Sequence, residues 1–226
     1  MSLPLIRLAE VDSTQSFLRR HPGLGFCAVV ADTQTEGRGR QGNAWISAAG
    51  TGLWLSAAIP VPDIPPGLVL QRAMLKVANA LGPFGLACGL KWPNDLVGRR
   101  DARLVKLGGI IGERSSGRLI LGLGVNLTAA PELPGRAFPA ACLADLDPVR
   151  VPSAEELALG ILEEWQGWHR EDEPRFLWPM AGDPIAWEAG QGACLGWEPD
   201  GRLKVATADG IQRLSAGDLR QVRPAG

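Results

Sequence analysis

The stretch that most restricts the fold of this chain is Gly37-Arg38-Gly39-Arg40-Gln41-Gly42, in which glycines alternate with arginines. Apolar, strand-like segments lie on both sides of it, Phe26 to Ala31 before and Leu53 to Ile59 after. Glycine lets a backbone approach a ligand closely, and a guanidinium offers planar donors that fit phosphate or carboxylate. The pattern predicts an anion-binding loop between two strands; a basic surface loop is the alternative.

Two common phosphate-binding patterns do not fit this loop. A Walker A motif requires Lys and then Ser or Thr after its last glycine, but Asn43 and Ala44 follow here. A dinucleotide-binding fingerprint requires a helix that opens from the loop, whereas the next regular segment is the strand-like Leu53 to Ile59. The loop therefore predicts an anion site of another kind.

Composition excludes several classes of protein. With 226 residues, 46% of them hydrophobic, the chain can form one substantial core plus a small appendage. A net charge of -1 without a basic run predicts neither nucleic-acid nor membrane binding, and we find no signal peptide or membrane span. The widely spaced Cys27, Cys88, Cys142 and Cys194 lack metal-ligand spacing, and three of them have surroundings typical of buried thiols. We expect a cytoplasmic protein.

Hydrophobic periodicity predicts the order of helices and strands. We expect helices after Asp12-Ser13-Thr14, between Pro65 and Leu81, and after the capping box that begins at Ser153. The apolar face of the last helix comprises Leu157, Ile161, Leu162, Trp165 and Trp168. Strands are expected at Leu5 to Leu8, Phe26 to Ala31, Leu53 to Ile59, Leu104 to Glu113 and Arg118 to Leu127. The alternation within Leu53 to Ile59 indicates a strand covered more heavily on one face.

Polar residues in three further segments are candidates for a binding site. Lys91-Trp92-Pro93-Asn94-Asp95 combines a lysine, an amide and a carboxylate around a proline; Asp95 could orient Lys91 or help hold hydrated magnesium, and an ordinary Asn-Asp turn is the alternative. Lys106 lies in an apolar run next to Gly108 and Gly109, where a ligand carboxylate is a natural partner; the open face of an edge strand is the alternative. Asn126 needs hydrogen-bond partners, from a turn or from a ligand.

These motifs occur in an order that resembles the biotin protein ligase family. The resemblance rests on Asp12-Ser13-Thr14, the loop from Gly37 to Gly42 with Trp45, the segment from Lys91 to Asp95, Lys106-Leu107-Gly108-Gly109-Ile110 and Gly122-Leu123-Gly124-Val125-Asn126. It implies an α+β fold with a mixed, largely antiparallel sheet and packed helices, like class II synthetases. It also implies a biotin- and ATP-binding domain at residues 1–182 and an SH3-like β-barrel at residues 183–226.

The resemblance further implies an ATP-dependent reaction in two steps. Biotin is first activated as biotinyl-5′-AMP with release of pyrophosphate, and the biotinyl group then passes to a lysine of a biotin carboxyl carrier protein of a biotin-dependent carboxylase. Magnesium is held mainly through the ATP phosphates, without a direct protein cage. The enzyme would be a monomer or a homodimer. Only eleven residues precede Asp12, so we expect no DNA-binding domain of the repressor type.

Roles for individual residues follow from the same resemblance. Ser13, Thr14 and Gln34 would hold the ureido ring of biotin, and the biotin site would also include Gln15, Arg38, Gly39, Trp45 and Gly109. Arg40 and Lys106 would be catalytic and grip the carboxylate and the adenylate phosphate. Residues near the nucleotide would be Arg38, Arg40, Trp45, Lys91, Asn94 and Asn126.

The sequence departs from the family pattern at a few positions. Gln15 stands where Asn is usual, Gln41 and Asn43 replace residues that are frequently basic, and Gly108 stands where Ala is common.

Two other functions are compatible with the fold. One is a lipoate ligase-like acyl-adenylating enzyme, although the Arg-Arg-x-x-Gly-Gly loop usual in that class is not found in this sequence. The other is a non-catalytic biotin-binding regulatory module.

Overall fold

The computed structural model of this chain describes residues 3–101, 103–132, 138–166, 176–215, 217 and 219–221. The helices are α1 (Thr14–Arg20), α2 (Pro66–Leu81) and α3 (Ala154–Gln166). The strands of a first sheet are β1 (Leu5–Val11), β2 (Cys27–Gln34), β3 (Gly52–Pro60), β4 (Gly89–Lys91), β5 (Asp95–Arg100), β6 (Arg103–Ser115), β7 (Arg118–Asn126) and β8 (Phe176–Trp178). A second sheet contains β9 (Pro184–Trp187), β10 (Gly190–Trp197), β11 (Leu203–Thr207), β12 (Gly210–Leu214) and β13 (Arg220–Gln221).

The first sheet has the strand order β1-β2-β3-β7-β6-β5-β4-β8. Adjacent strands in this sheet are antiparallel, except for the pairs β1–β2 and β4–β8, which are parallel. The predicted α+β fold with a mixed, largely antiparallel sheet is therefore confirmed.

The second sheet is antiparallel throughout and has the order β12-β11-β10-β9-β13. It begins at Pro184, close to the predicted start of the C-terminal domain. Closure into an SH3-like barrel and the division into domains at residues 182 and 183 stay predictions.

Local sequence accounts for the ends of the three helices. Ser13 is the N-cap of α1, where its side chain accepts a hydrogen bond from the amide of Ser16. Prolines precede and open α2, and Gly82 follows its last residue. Ser153 Oγ accepts from the amide of Glu156 at the start of α3, whereas the Glu156 carboxylate pairs with Arg150 instead of completing the capping box. Trp168, predicted on the apolar face of α3, lies outside the described residues.

Strand β3 is buried on both faces, so the prediction that one face is covered more heavily is wrong. Leu53, Leu55, Ala57 and Ile59 join a large core with α2 and α3. On the opposite face, Ala58 packs in a separate cluster with Leu18 of α1, and Trp54 contacts Trp45 edge-on, with ring centroids 6.5 Å apart. The alternation in the sequence did not reveal this second cover because α1 and the segment after the glycine-rich loop come from elsewhere in the chain.

Strand β6, which carries Lys106, lies between β5 and β7 inside the sheet. The alternative that Lys106 sits on an edge strand is therefore wrong. The pairing of β5 with β6 shifts register between Leu96 and Val97, and Leu107 is the extra residue of a bulge in β6. Side chains three positions apart in a regular strand face opposite sides, but this bulge lets Lys106 and Gly109 line the same cavity.

All four cysteines are buried and free, including the three predicted as buried thiols. Burial raises the pKa of the Cys88 thiol to about 12, so this side chain stays protonated at neutral pH. Within the residues that the structure describes, no helix has the length and apolar character needed to cross a membrane.

Candidate active site

A cavity of about 610 Å³ lies between the glycine-rich loop, the start of α1, the turn between β4 and β5, and strands β6 and β7. It is lined by every residue that the sequence predicted for the site: Ser13, Thr14, Gln15, Gln34, Arg38, Gly39, Arg40, Trp45, Lys91, Asn94, Lys106, Gly109 and Asn126. The structure thus brings together segments that are more than a hundred residues apart along the chain.

One end of the cavity is a network of buried hydroxyl groups around the half-buried amide of Gln34. Thr14 donates from its amide and from Oγ1 to Gln34 Oε1, at 2.8 and 3.0 Å, and Thr14 Oγ1 also lies 2.8 Å from Ser56 Oγ. Gln34 Nε2 in turn donates to Ser47 Oγ at 2.8 Å. These contacts fix the orientation of the Gln34 amide, so that this end of the cavity presents donors and acceptors in set directions. The side chains suit a small, neutral, polar group.

Gln15 lies beside this network on α1. Its Nε2 donates to the carbonyl of Ile120 at 3.4 Å, and a Cβ at Gly122 would lie 3.4 Å from its side-chain amide carbon. The Gln15 side chain, which is longer than the Asn usual in the family, therefore packs over Gly122 of β7.

The glycine-rich loop forms a narrow hairpin. Trp45 N donates to Gly37 O at 2.8 Å, Gly39 N to Asn43 O at 2.8 Å, and Asn43 N to Arg40 O at 3.0 Å. Gly37 has no room for a side chain, because a Cβ there would lie 2.3 Å from the carbonyl oxygen of Trp45. The hairpin therefore has a defined shape that directs its two arginines.

Both arginines of the loop reach other parts of the protein. Arg40 Nη1 donates to Asn94 Oδ1 at 3.1 Å and to the carbonyl of Gly217 at 3.3 Å, while Asn94 Nδ2 donates to the carbonyl of Ile110 at 2.7 Å. Arg38 Nη1 lies 3.8 Å from Glu113 Oε2 of β6. These contacts hold the hairpin over the cavity.

A carboxylate between two lysines dominates the electrostatics of the other end. Asp95 Oδ1 lies 2.7 Å from Lys106 Nζ, and Asp95 Oδ2 lies 3.3 Å from Lys91 Nζ. Burial alone favours the protonated form of Asp95, but the two ammonium groups outweigh burial and hold the pKa of this carboxyl below its ordinary value. Asp95 orients Lys91, as the sequence suggested, and also orients Lys106.

Aromatic rings surround these lysines. Lys106 Nζ lies 5.6 Å from the centre of the Trp45 ring, and Lys91 Nζ lies 5.5 and 5.6 Å from the ring centres of Phe138 and Trp178. Trp45 rests directly on β7, where a Cβ at Gly124 would come within 2.4 Å of its ring. Glycine at position 124 therefore allows the indole to lie on the sheet.

The structure explains why Asn stands at position 126 and Gly at position 108. Asn126 donates from Nδ2 to the carbonyl of Ala141 at 3.0 Å, so the amide holds a backbone segment as well as lining the cavity. Gly108 cannot become Ala without a shift, because a Cβ would lie 2.5 Å from the carbonyl oxygen of Gly124.

Several residues that line the cavity were not predicted from the sequence. Ser56 is fully buried within β3, and a hydroxyl in an apolar strand was the signal that could have identified it. Phe138 and Ala140 lie in a segment that was predicted to be only an irregular connection, and Leu219 and Arg220 come from the second sheet region. No local pattern distinguishes these four residues, because packing alone brings them to the cavity.

The cavity is suited to a molecule with several negative charges. Arg38, Arg40, Lys91, Lys106 and Arg220 line it, whereas Asp95 is its acidic side chain among the described residues and is already bound by two lysines. The residues that the structure describes include no group of three or more His, Cys, Asp or Glu side chains that could bind a metal ion directly. The arrangement can therefore hold and neutralise phosphate or carboxylate groups with fixed cations.

Comparison with known proteins gives sequence and structural relatives. The chain is 37% identical to the biotin–[acetyl-CoA-carboxylase] ligase of Mycobacterium tuberculosis over 111 residues, which cover 46% of this chain and 40% of the relative. It is 36% identical to the ligase of the same name from Paracoccus denitrificans over 141 residues, 55% of each chain. The matches thus span about half or less of these curated relatives.

The structural likeness extends over nearly the whole chain. The biotin protein ligase from Aquifex aeolicus in complex with biotin and ATP superposes with a TM-score of 0.75 at 26% identity, over 97% of this chain and 99% of that one. Residues 12–128 match the family described as biotin/lipoate A/B protein ligase. Because this match includes just over half of the 226 residues and every predicted site residue, the chain belongs to the biotin/lipoate A/B protein ligase family.

Proposed function

We propose that this protein is an ATP-dependent biotin–[biotin carboxyl carrier protein] ligase. The observation that carries the proposal is that thirteen residues predicted from separate motifs line one cavity of about 610 Å³, with a neutral polar end and a cationic end. Biotin has a ureido ring at one end and a carboxylate at the other, and ATP adds a triphosphate. The two ends of the cavity match that distribution of charge.

The neutral end would hold the ureido ring. Thr14 and Gln34 are fixed by each other and by Ser47 and Ser56, so their remaining donors and acceptors need not reorganise when the ring binds. Ser13 would complete this set, while Gln15, Arg38 and Gly39 would line the bicyclic ring and its side chain. A methyl group at Gly109 would lie 3.6 Å from Trp45 and 3.7 Å from Lys106 Nζ, in space that the biotin carboxyl end would use.

The cationic end would perform the first step. A carboxylate oxygen of biotin attacks the α-phosphorus of ATP, a new P–O bond forms, and the bond to pyrophosphate breaks. Two anions must approach each other, and Lys106 and Arg40 would reduce their repulsion and stabilise charge on the phosphoryl oxygens. Lys91, Asn94 and Asn126 would lie along the nucleotide, with Trp45 and Arg38 at the junction of the two substrates.

The second step needs little from the protein beyond position and exclusion of water. The amine of a carrier lysine attacks the acyl carbon of biotinyl-5′-AMP, an amide bond forms, and AMP leaves while the amine proton passes to solvent. The mixed anhydride is sensitive to water, and the hairpin with Arg40 would cover it until the carrier arrives.

Magnesium fits this site as a partner of the ATP phosphates. Magnesium usually combines one or two carboxylates with phosphate oxygens and water, and Asp95 is already shared between Lys91 and Lys106. The phosphate oxygens of ATP would therefore supply most of the magnesium ligands, and the magnesium ion would neutralise part of the phosphate charge. Asn94 and Asn126 line the same cavity and offer neutral amide oxygens.

We further propose that the acceptor is the carrier domain of a biotin-dependent carboxylase and that the protein acts in the cytoplasm, as a monomer or homodimer. The relatives named as biotin–[acetyl-CoA-carboxylase] ligases support the choice of acceptor. The net charge of -1 supports a protein that binds neither nucleic acid nor anionic membranes.

The test is transfer of biotin to a purified carrier domain with and without ATP, together with pyrophosphate release in the presence of biotin or of lipoate. We expect ATP-dependent transfer of biotin and pyrophosphate release that biotin stimulates. Stimulation by lipoate instead would identify a lipoate ligase. Binding of biotin without pyrophosphate release or transfer would identify the regulatory module.

A further inference from the structure

One backbone carbonyl in the turn between β10 and β11 accepts hydrogen bonds from two buried side chains in the first part of the chain. Gly201 O accepts a hydrogen bond from Gln71 Nε2 of α2 at 2.7 Å and another from Trp92 Nε1 at 3.1 Å. Both donor side chains are buried, with 2% and 0% of their surface exposed. Water cannot replace Gly201 O as the acceptor at such positions, so the two donors depend on this turn.

The backbone of this turn packs against the start of α2 without intervening side chains. A Cβ at Gly67 would lie 2.4 Å from Asp200 O, and a Cβ at Gly201 would lie 2.8 Å from the backbone of Gly67. Gly201 also has a φ of +86°, which favours glycine. The position of the turn relative to α2 is therefore closely defined.

Trp92 links this contact to the candidate active site. It belongs to the turn between β4 and β5, and Lys91 and Asn94, one and two residues away along the chain, line the cavity. The Trp92 ring is part of a core cluster with residues of the second sheet, among them Ile185 and Leu203. Its backbone amide donates to Trp178 O at 3.0 Å. The second sheet thus packs against the turn that carries Lys91 and Asn94.

The side chains at the neutral end of the cavity have hydrogen-bond partners outside the second sheet. Thr14 and Gln34 take hydrogen-bond partners from Ser47 and Ser56, which belong to the first part of the chain. A change at Trp92 should therefore affect the two ends of the cavity unequally.

We propose that Trp92 is a positioning residue through which the second sheet, acting by way of the Gly201 carbonyl, holds Lys91 and Asn94 at the nucleotide end of the cavity. The inference rests on the proposed function for the identity of the ligand. Asn94 accepts a hydrogen bond from Arg40, so a displaced turn would also release the arginine of the hairpin.

The test compares Trp92→Phe with Trp165→Phe. Both substitutions keep an aromatic ring and remove a buried indole N–H that donates to a backbone carbonyl, since Trp165 Nε1 donates to Ala73 O at 3.1 Å. Trp165 lies in α3 and does not line the cavity. The pair therefore separates a general loss of stability from displacement of the site.

We expect Trp92→Phe to speed deuterium exchange at the amides of residues 91, 92, 94 and 95 and to raise the KM for ATP, each by roughly three- to tenfold. The Kd for biotin should stay close to the parental value. Trp165→Phe should leave the exchange of these amides and the KM for ATP unchanged. The same exchange in both variants, or an equal loss of biotin and ATP affinity in Trp92→Phe, would overturn the proposal.

Two further readouts keep the result decisive. If Trp92→Phe does not fold, Gly201→Ala displaces the acceptor and leaves Trp92 in place, because the new Cβ would lie 2.8 Å from the backbone of Gly67. This variant should give the same selective increase in exchange, and an unchanged turn would contradict the proposal. If the parent protein makes no adenylate, the proposed function fails, but deuterium exchange still decides whether the second sheet holds the turn.

Discussion

Asp95 Oδ1 lies 2.7 Å from Lys106 Nζ, so the carboxylate at the end of one motif holds the lysine at the start of another. The same carboxylate contacts Lys91 through its second oxygen, at 3.3 Å. Two ammonium groups beside one cavity would otherwise repel each other. Asp95 therefore holds both cations side by side at the lining of the cavity.

Asp95→Asn should destabilise the protein, because two lysines that are mostly buried would lose their shared counterion. Removal of one partner from a buried ion pair costs about 3 kcal/mol, and partial exposure of Lys106 should reduce the loss. Urea unfolding measures it. Asp145→Asn removes a more exposed carboxylate that pairs with Arg100 and is the matched control. Equal stability of the two variants would contradict the role of Asp95.

The stabilisation from Asp95 should disappear in acid. Its pKa in the folded protein lies below the ordinary value of 3.8, because Lys106 and Lys91 overcome the effect of burial. The unfolded chain therefore binds this proton at higher pH than the folded one, and the contribution is complete above the ordinary pKa and is lost as the pH falls through the folded pKa. The difference in unfolding free energy between parent and Asp95→Asn should be constant near neutral pH and shrink below about pH 4. A constant difference down to pH 3 would be inconsistent with this linkage.

Lys106→Met should preserve the fold and impair adenylate formation. The thioether side chain fills similar space but cannot stabilise charge on the phosphoryl group, and loss of one such interaction typically lowers the rate by about a hundredfold. Biotin-dependent pyrophosphate exchange measures the rate. Lys204→Met, in β11 outside the cavity lining, is the control for loss of a lysine. Adenylate formation at the parental rate would show that Lys106 has another role.

Loss of Arg40 should speed the escape of biotinyl-5′-AMP. In the structure Arg40 connects the hairpin to Asn94 and to Gly217 O. A charge-assisted hydrogen bond contributes about 1.5–3 kcal/mol, which corresponds to roughly tenfold faster release or more. Arg40→Gly should therefore label exposed lysines of an unrelated protein without discrimination.

Glycine at position 40 also adds freedom to the hairpin, so Arg40→Gln is the control for charge alone. The measurement is the dissociation rate of preformed adenylate. Unchanged release from both variants would assign retention to Arg38 or Lys106 instead.

Gly124→Ala should disturb the cavity through Trp45. The new Cβ would lie 2.4 Å from the indole, so the ring and the attached hairpin must move. Overpacking of this kind costs about 1–3 kcal/mol of stability, and weaker biotin binding should accompany it. Calorimetry of unfolding and of biotin binding measures both effects. Gly160→Ala is the control, because the nearest atom is 3.9 Å from its Cβ and alanine favours a helix. Parental biotin affinity in Gly124→Ala would show that Trp45 does not shape the site.

Much of the fold was predictable because its signals are local. Ser13 and the paired prolines at residues 65 and 66 mark helix starts, and the apolar runs of β2, β3, β6 and β7 mark strands. Each of these signals depends only on residues within one or two helical turns or along one strand. The double burial of β3 was not predictable, because its second cover comes from α1 and Trp45.

The sequence by itself determined which chemical groups the site contains, since Lys91, Lys106, Arg40 and the polar residues after Asp12 belong to short motifs with distinctive composition. Only the tertiary structure decided how they meet. The bulge at Leu107 allows Lys106 and Gly109 to line the same cavity, and the packing of two sheets brings Gly217 O to Arg40 and Gly201 O to Trp92. Such contacts join residues up to 177 positions apart. No local preference specifies them, because they depend on strand register and on how the two sheets pack.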